Sequence, residues 1–285
     1  MVFFSKKEDF FLKKVFGDED KERATKKEKI KKILELVREK LISEGVPTDE
    51  NCRIQMEAFE GIYPKEEILD DKIKLKRIEK KWQEANEPGY AEALRQGEPV
   101  EKIEKIGEQL EILKTALFNK FLGKKALIVR TSLYDDVTNH VDNLMIDKET
   151  GKTLCAFDEV GTNIGPIFTE KMVKVLKINT EERGAKLKYG LKLEKGMNNE
   201  NKIKLGRRDN LPIFYLALPS LQIKEAIKNA EPSLEKFSDY EKKVFEYFYF
   251  SIISQVKALS LEKNLSEEIV KNLTPSFLKK EQLEK

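Results

Sequence analysis

Residues 126–160 read ALIVRTSLYDDVTNHVDNLMIDKETGKTLCAFDEV and carry the strongest structural signal in the chain. Three apolar runs in this stretch predict strands over residues 126–132, 140–146 and 153–160, with a hairpin turn between the second and third strands. Acidic residues stand at the ends and joints of these strands: Asp135, Asp136, Asp142, Asp147, Asp158 and Glu159. Because a lone buried carboxylate is costly, acids gathered at strand ends indicate a site for a hard divalent cation.

The segments around these strands complete a mixed α and β core. An apolar stripe at helical spacing over residues 101–123 precedes the first strand, and a helix over 168–178 follows the third. Residues 212–219 form a continuous apolar run that is typical of a buried strand. Before it, apolar and basic residues alternate over 186–205 and predict a half-buried hairpin. We therefore predict an α+β fold with an α-β-β-β-α-β core sheet and an inserted basic hairpin.

The chain divides into three predicted regions. Residues 1–99 form an N-terminal helical region, 100–219 the α/β core, and 220–285 a C-terminal helical region that packs on the core. Within the first region, helices are predicted over residues 26–43 and 64–85, and the Pro- and Gly-containing segment after them is predicted to be a connector. The fold class is therefore a helix-flanked α+β domain.

Composition limits the function. Charged residues make up 37% of the chain, but the net charge is only +3, so any attraction to nucleic acid must come from local patches. Cys52 and Cys155 have no metal-ligand spacing, which favours a reducing, cytoplasmic setting. No apolar run predicts a signal peptide or a membrane span. The Phe-rich start, residues 3–16, predicts an amphipathic segment that docks on the protein itself, or on a protein partner or membrane surface.

Two of the acids are the main candidates for holding a cation. Asp142 falls near the start of the second predicted strand and Asp158 near the end of the third. Side chains alternate along a strand, so only one of Asp158 and Glu159 can face Asp142, and the neighbours of Asp158 favour Asp158. Two carboxylates with water would hold Mg²⁺ or Mn²⁺. The alternative is that these acids pair with nearby lysines and have no catalytic role.

The order of elements and the two acids resemble the PD-(D/E)XK, or restriction-endonuclease-like, nuclease superfamily over roughly residues 101–219. That family carries its first metal-binding Asp on the second core strand, which Asp142 matches. Its second acid lies on the third strand, which Asp158 matches, and a Lys follows two residues later. The resemblance implies a metal-dependent nuclease that uses Mg²⁺ or Mn²⁺ to hydrolyse phosphodiester bonds of DNA or RNA.

The chain departs from this pattern at the lysine. Val160 occupies that position, and placing Glu159 in the acid role instead leaves Gly161 there. Some members of the superfamily supply the lysine from the following helix, so Lys171 and Lys174 are the candidates that would orient the attacking water. The family's first helix often adds a Glu, for which Glu108 and Glu111 are available.

His140, the chain's only histidine, could act as a general base. On a strand it would share a face with Asp142, because the two positions are two residues apart. The alternative is a hydrogen-bonded polar residue at the start of a strand.

A second cluster is basic and predicts contacts to nucleic-acid phosphates. Between Lys171 and Asp209 the chain has twelve Lys or Arg and five Asp or Glu. The predicted hairpin and its exit carry Lys186, Lys188, Lys192, Lys202, Lys204, Arg207 and Arg208. The alternative is an ordinary solvated face of a lysine-rich protein, and the aromatic side chains that would stack on unpaired bases are not interleaved there.

Two classes of function therefore compete. The first is a metal-dependent nuclease, and the second is a catalytically inactive nuclease-like fold that binds nucleic acid or protein as a scaffold. Val160 at the lysine position favours the second class. The sequence contains no Gly-rich phosphate loop, no nucleophile elbow and no zinc-ligand spacing, which disfavours kinases, nucleotide hydrolases and serine hydrolases.

Overall fold

A computed structural model of the chain describes residues 28–29, 31–95, 106–161, 164–196 and 201–262. The Phe-rich segment at residues 3–16 and the charged tail beyond residue 262 lie outside the described residues.

Two helices form the described part of the N-terminal region: α1 over residues 31–43 and α2 over Lys65–Arg95. A short 3-10 helix, Met56–Phe59, lies between them. The predicted connector after residue 85 is wrong as far as Arg95, because helix α2 continues through Pro88. The good helix formers in the sequence AEALR that follows favour this continuation.

The first part of the core contains three strands and three helices, with a turn rather than a helix between β2 and β3. Its elements are helix α3 (Ile106–Leu122), strand β1 (Ala126–Arg130), helix α4 (Leu133–Asn139), strand β2 (Asn143–Asp147), strand β3 (Thr153–Val160) and helix α5 (Gly165–Thr180).

The second part contains five strands, followed by two helices of the C-terminal region. Its elements are β4 (Ala185–Leu187), β5 (Leu191–Lys195), β6 (Asn201–Leu205), β7 (Arg208–Leu211), β8 (Ile213–Ala217), helix α6 (Ser220–Lys228) and helix α7 (Asp239–Leu259).

The central sheet has the strand order β1-β2-β3-β8. Strands β1, β2 and β3 are antiparallel neighbours, and β8 returns parallel to β3. A parallel return requires a long crossover, and here helix α5 and the inserted strands supply it. The predicted core order of helix, three strands, helix and strand is therefore confirmed.

The two faces of the sheet are buried in separate apolar clusters. Alternation along β3 sends Ala156 into a cluster with side chains of α1 and α5, and Phe157 into a cluster with α3, α6 and α7. Both faces are covered, so all eight residues of β3 are buried. This alternation also sends Asp158 and Glu159 to opposite faces, which positions the site described below.

The insertion differs from the single hairpin that the sequence predicts. Strands β5 and β6 pair with each other, and β4 pairs with β7 as a second two-stranded ladder. Lys192, Lys202 and Lys204 do share the β5–β6 ladder, but Lys186 belongs to β4 and Lys188 lies between the ladders. The prediction that all five lysines share one hairpin face is wrong because Gly190 and Gly206 separate the two ladders.

The exposed edge of β8 is covered by two side-chain amides. Asn179 bonds both the N–H and the C=O of Ile213, at 3.0 and 2.8 Å. Gln255 does the same to Tyr215, at 3.1 and 2.8 Å. Amides that occupy the backbone groups of an edge strand hinder pairing with another strand, so the sheet ends here.

Candidate metal centre

The site depends on helix α4, which the sequence reasoning reads as an extension of β1 followed by a turn at Asp135 and Asp136. Strand β1 instead stops at Arg130, and the side chain of Ser132 caps the helix by accepting a hydrogen bond from the Asp135 N–H at 3.1 Å. An N-cap Ser with an acid three residues later is a helix-start pattern, and it is the signal that could have located α4.

Three carboxylates converge at this end of the sheet. Glu111 of α3, Asp136 of α4 and Asp142 each offer one oxygen, and these oxygens lie within 4.8 Å of one another. Asp142 immediately precedes β2, where its N–H donates to the Phe157 carbonyl at 2.8 Å. Glu111 was an open option in the sequence, whereas Asp136 was not a candidate.

The two acids at the end of β3 add to this cluster from opposite sides. The Glu159 N–H donates to Oδ2 of Asp142 at 2.6 Å, which fixes the Asp142 carboxylate against β3. Asp158 accepts a hydrogen bond and ion pair from Lys171 of α5. Asp158 and Lys171 lie close enough to Asp142 to interact with its charge, but Asp158 is not among the three carboxylates whose oxygens converge within 4.8 Å.

Two arginines hold the outer carboxylates. Arg53 contacts Oδ2 of Asp136 at 2.7 Å and Oε2 of Glu111 at 3.0 Å. Arg130, which is fully buried, pairs with the same Oε2 atom of Glu111 and also donates to the Asn51 carbonyl at 3.1 Å. Neither arginine was a candidate from the sequence, because the partners come from segments far apart along the chain.

The contacts leave oxygens for an ion. Both arginines use Oε2 of Glu111, and Glu159 uses Oδ2 of Asp142. Lys171 uses Oδ1 of Asp158, and Oδ2 of that residue is buried without a hydrogen-bond partner among the described residues. In metal sites, neighbouring side chains often hold one oxygen of a carboxylate ligand while its other oxygen binds the ion, and the contacts here have this arrangement. An all-oxygen donor set suits Mg²⁺ or Mn²⁺.

Burial and mutual repulsion make the cluster retain protons. Burial raises the pKa of Asp158 to about 7, with a further contribution from the negative charge of Asp142. Burial raises the pKa of Asp136 to about 8, again with Asp142 as the main repelling charge. Carboxyl groups that are hard to ionise together are where a divalent cation gains most, because it replaces the shared protons.

Asp142 is the exception in the cluster. Burial alone would raise its pKa, but hydrogen bonds from Glu159 and Asp136 and the charge of Lys171 lower it below the usual range. Burial by itself would lower the pKa of Lys171, but the negative charges of Asp158 and Asp142 outweigh burial and raise this pKa above its usual value. Asp142 is thus the permanently ionised member, beside a permanently charged lysine.

His140 and Lys174 stand at the rim of this site. His140 ends α4 in the left-handed conformation, at φ 56°, so the prediction that it starts a strand on the face of Asp142 is wrong. The left-handed residue closes the helix, and β2 begins only at Asn143. Burial lowers the pKa of His140, and the charges of Lys174 and Lys171 lower it further. Both residues are half-buried, so they can meet a ligand from solvent.

Glu159 meets a second lysine on the far face of β3. Lys114 of α3 has no exposed side-chain surface, and its Nζ lies 2.5 Å from Oε1 of Glu159. Its ammonium group also lies 4.7 Å from the centroid of the Phe157 ring. Lys114 was missed in the sequence because it falls within the apolar stripe of α3.

The basic residues of the insertion do not join this cluster. The β5–β6 hairpin contacts the turn between β2 and β3, through Leu193 N to Gly151 O at 3.3 Å and Asn201 Nδ2 to Lys148 O at 2.9 Å. That turn is about six residues along the strands from Asp142, or about 20 Å. The hairpin and the acids therefore lie at opposite ends of the sheet.

Several of these basic side chains also have acidic partners. Lys192 and Lys204 both pair with exposed Glu194, and Arg207 pairs with Asp209. Lys188 pairs with Glu67 and Asp71 and is packed against tyrosine rings. In the described part of the chain, Lys186 and Lys202 form no ion pair, and both are exposed to solvent.

No protein-family model, curated protein or solved structure gives a significant match to this chain. Within the part of the chain that the structure describes, none of the helices has the length and apolarity needed to span a bilayer.

Proposed function

We propose that the protein is a metal-dependent nuclease that hydrolyses phosphodiester bonds of DNA or RNA. The observation that carries this proposal is the convergence of Glu111, Asp136 and Asp142 within 4.8 Å, beside the Asp158–Lys171 pair. Membership in the PD-(D/E)XK superfamily is part of the proposal, and the order of the core elements supports it.

In this proposal Asp142 and Asp158 hold Mg²⁺ or Mn²⁺, with Asp136 and Glu111 completing the carboxylate set. The bound ion would lower the pKa of a water molecule and neutralise charge that develops on the scissile phosphate. Lys171 takes the role of the lysine that the family carries at the position of Val160. Its side chain is 23% exposed, enough to contact both Asp158 and a substrate that approaches from solvent.

The reaction proposed is hydrolysis. The water oxygen attacks the phosphorus atom, the bond from phosphorus to the leaving oxygen breaks, and that oxygen takes up a proton. Lys171 and Lys174 stabilise the negative charge of the pentacovalent phosphate. His140, whose pKa burial and both lysines lower, stays neutral near pH 7 and can accept a proton from water.

Nucleic acid is the proposed partner, and a reducing cytoplasm is the proposed location. Both cysteines are free and buried, which suits a compartment where thiols stay reduced. Lys202 would contact a phosphate about 20 Å from the scissile bond, so the substrate would be long enough to cross the sheet from end to end. Lys186, on strand β4 beside helix α4, would contact a phosphate nearer to the acids.

The test joins ion binding to cleavage. We expect Mn²⁺ or Mg²⁺ to raise the melting temperature of chelator-treated protein, because the ion binds only the folded cluster. We also expect metal-dependent cleavage of labelled DNA or RNA, offered as single and double strands. Asp142→Asn should reduce cleavage by about a thousandfold, since it removes several kcal/mol of charge stabilisation.

Asp147→Asn is the matched control, because Asp147 lies at the other end of β2 and accepts hydrogen bonds from the N–H groups of Glu149 and Thr150. It should cleave and bind ions like the unmodified protein. Equal activity of Asp142→Asn and the unmodified protein would refute the proposed site.

A scaffold that lacks catalysis is the second candidate, and the two arginines favour it. Arg53 and Arg130 neutralise Glu111 and Asp136 without any ion. Nucleic-acid binding with no metal-induced rise in melting temperature would support the scaffold over the nuclease.

A further inference from the structure

The two adjacent acids of β3 each meet a lysine from the helix that covers their face of the sheet. Asp158 meets Lys171 of α5, whose side chain is 23% exposed. Glu159 meets Lys114 of α3, whose side chain is 0% exposed. The first pair is open to a substrate, whereas the second is closed to it and needs a different explanation.

Stability does not explain the Lys114–Glu159 pair. The Nζ atom and both carboxylate oxygens are buried, and none has the geometry of a hydrogen bond with another described residue. The rings of Phe118 and Phe157 surround the ammonium group at 5.8 and 4.7 Å. Apolar residues of similar size are usually at least as stable as a buried ion pair with unsatisfied atoms.

The pair is, however, connected to the acidic cluster. The backbone N–H of Glu159 donates to Oδ2 of Asp142 at 2.6 Å. Lys114 lies three residues after Glu111 on α3, so one helix supports both an acid of the cluster and the cation beneath Glu159. Thr115, next in the chain, bonds Asn143 at the start of β2 at 2.8 Å and fixes this helix to the strand.

We propose that Lys114 is a positioning residue for the metal centre: its ion pair fixes Glu159 at the end of β3, and the backbone N–H of Glu159 in turn holds the Asp142 carboxylate in the orientation that binds the ion. This inference rests on the proposed metal-dependent function. It predicts that loss of Lys114 weakens ion binding even though Lys114 contacts neither ion nor substrate. Partners that orient metal ligands typically change metal affinity by about 10- to 100-fold.

The chain contains a matched control on the same helix. Lys120 of α3 forms a buried ion pair with Glu241 of α7, and both pairs have side chains that are 0% and 1% exposed. Lys120 also bonds the Glu231 carbonyl at 2.6 Å, so its partners belong to the C-terminal region. Lys114→Met and Lys120→Met therefore remove the same chemistry at two places, one at the acidic cluster and one away from it.

The experiment measures Mn²⁺ binding by calorimetry, with the metal alone, at a temperature where each variant is folded. We expect Lys114→Met to raise the half-saturating Mn²⁺ concentration about tenfold or more, and Lys120→Met to leave it unchanged. Lys114→Met and Glu159→Gln combined remove the uncompensated charge and should restore stability while ion binding stays weak.

Each outcome bears on the inference. Unchanged Mn²⁺ binding in Lys114→Met, recovery of binding in the double variant, or an equal shift in Lys120→Met would overturn the positioning role and leave the nuclease proposal intact. If the unmodified protein binds no Mn²⁺, the metal centre and the role of Lys114 both fail. If it binds Mn²⁺ but cleaves no nucleic acid, only the proposed hydrolysis fails.

Discussion

Asp135 and Asp136 are neighbours on helix α4, yet they belong to two very different regions. Asp135 is fully buried and accepts four hydrogen bonds, from Ser132 Oγ, Asn139 Nδ2 and the N–H groups of Lys188 and Tyr189, at 2.7 to 3.0 Å. Asp136 has one arginine and another carboxyl group as partners. The first acid is saturated by its surroundings, and the second is not.

The hydrogen-bond network around Asp135 continues away from the acidic cluster. Lys188 and Tyr189 both reach Asp71 of α2, at 2.5 and 2.6 Å. This network therefore ties α4 to the insertion and to α2. Burial raises the pKa of both Asp135 and Asp136, so it is their partners that distinguish them. A buried carboxylate whose hydrogen bonds are all made stabilises the fold, whereas several carboxyl groups packed against one another indicate a ligand site.

The largest difference should appear when each of the two acids is converted to its amide. Asp135→Asn should lower the free energy of unfolding by about 1–3 kcal/mol, because one of its two oxygens becomes an NH₂ group that faces a backbone N–H. Near pH 7, Asp136→Asn should leave stability nearly unchanged, because the Asp136 carboxyl group has a pKa of about 8 and is already largely protonated in the fold, but it should weaken Mn²⁺ binding. Urea denaturation and calorimetry measure the two effects.

The proposed difference between Asp135 and Asp136 is contradicted if the two substitutions have the same effect. A loss of stability in Asp136→Asn as large as that in Asp135→Asn would mean that both acids are structural and that α4 contributes no ligand.

A pH series should give the next largest effect. In the folded protein the pKa values of Asp158 and Asp136 are about 7 and about 8, above their ordinary value of 3.8. At any pH between the ordinary and the raised values, the folded protein therefore binds more protons than the unfolded chain. In chelator, the free energy of unfolding should therefore fall as the pH rises from about 4 to about 8. Asp142, with a lowered pKa, changes stability only below this window.

Added Mn²⁺ should reduce this decline, because the ion binds the deprotonated carboxylates. The combined substitution of Asp136→Asn and Asp158→Asn should reduce it as well. If urea denaturation gave the same decline with and without these substitutions, the protons would be held elsewhere.

The smallest effect is expected at the basic insertion. Lys202→Ala should weaken nucleic-acid binding a few-fold and lower the slope of log affinity against log salt by about 1, because one phosphate contact is lost. It should not change Mn²⁺ binding, since the hairpin lies at the far end of the sheet. Lys65→Ala is the control and should leave the slope unchanged. Lys65 is an exposed lysine at the start of α2 that pairs with Glu60.

Much of the fold could be predicted because its signals are local. The apolar runs of β3 and β8 and the stripe of α3 have periods that the sequence displays directly. Helix α4 was missed because apolar content is weak over Leu133–Asn139 and its evidence is a single capping pattern at Ser132. The path of the insertion was mistaken because one alternating pattern continues across Gly190 into two ladders.

The site could be predicted in part. Asp142, Asp158 and Lys171 were expected to lie near one another, because the acids stand at the ends of two neighbouring strands and the following helix packs beside them, and their roles at an ion stay predictions. Asp136, Arg53 and Lys114 were not, because each gains its role from a partner that is distant in the chain: Glu111 is 58 residues from Arg53, for example. Such contacts leave no period or spacing in the sequence.

The sequence by itself determined the strands of the central sheet and the long helices beside them, and which acids lie near the ends of those strands, because burial imposes a repeat on each of these elements. Only the tertiary structure decided that Asp135 joins a hydrogen-bond network that ties α4 to the insertion, while Asp136 lies with Glu111 and Asp142 in the acidic cluster. It also decided that Glu159 faces a lysine packed against phenylalanine rings. The reason is physical: alternation fixes the face on which a side chain lies, but its partner on that face is set by the packing of the whole chain.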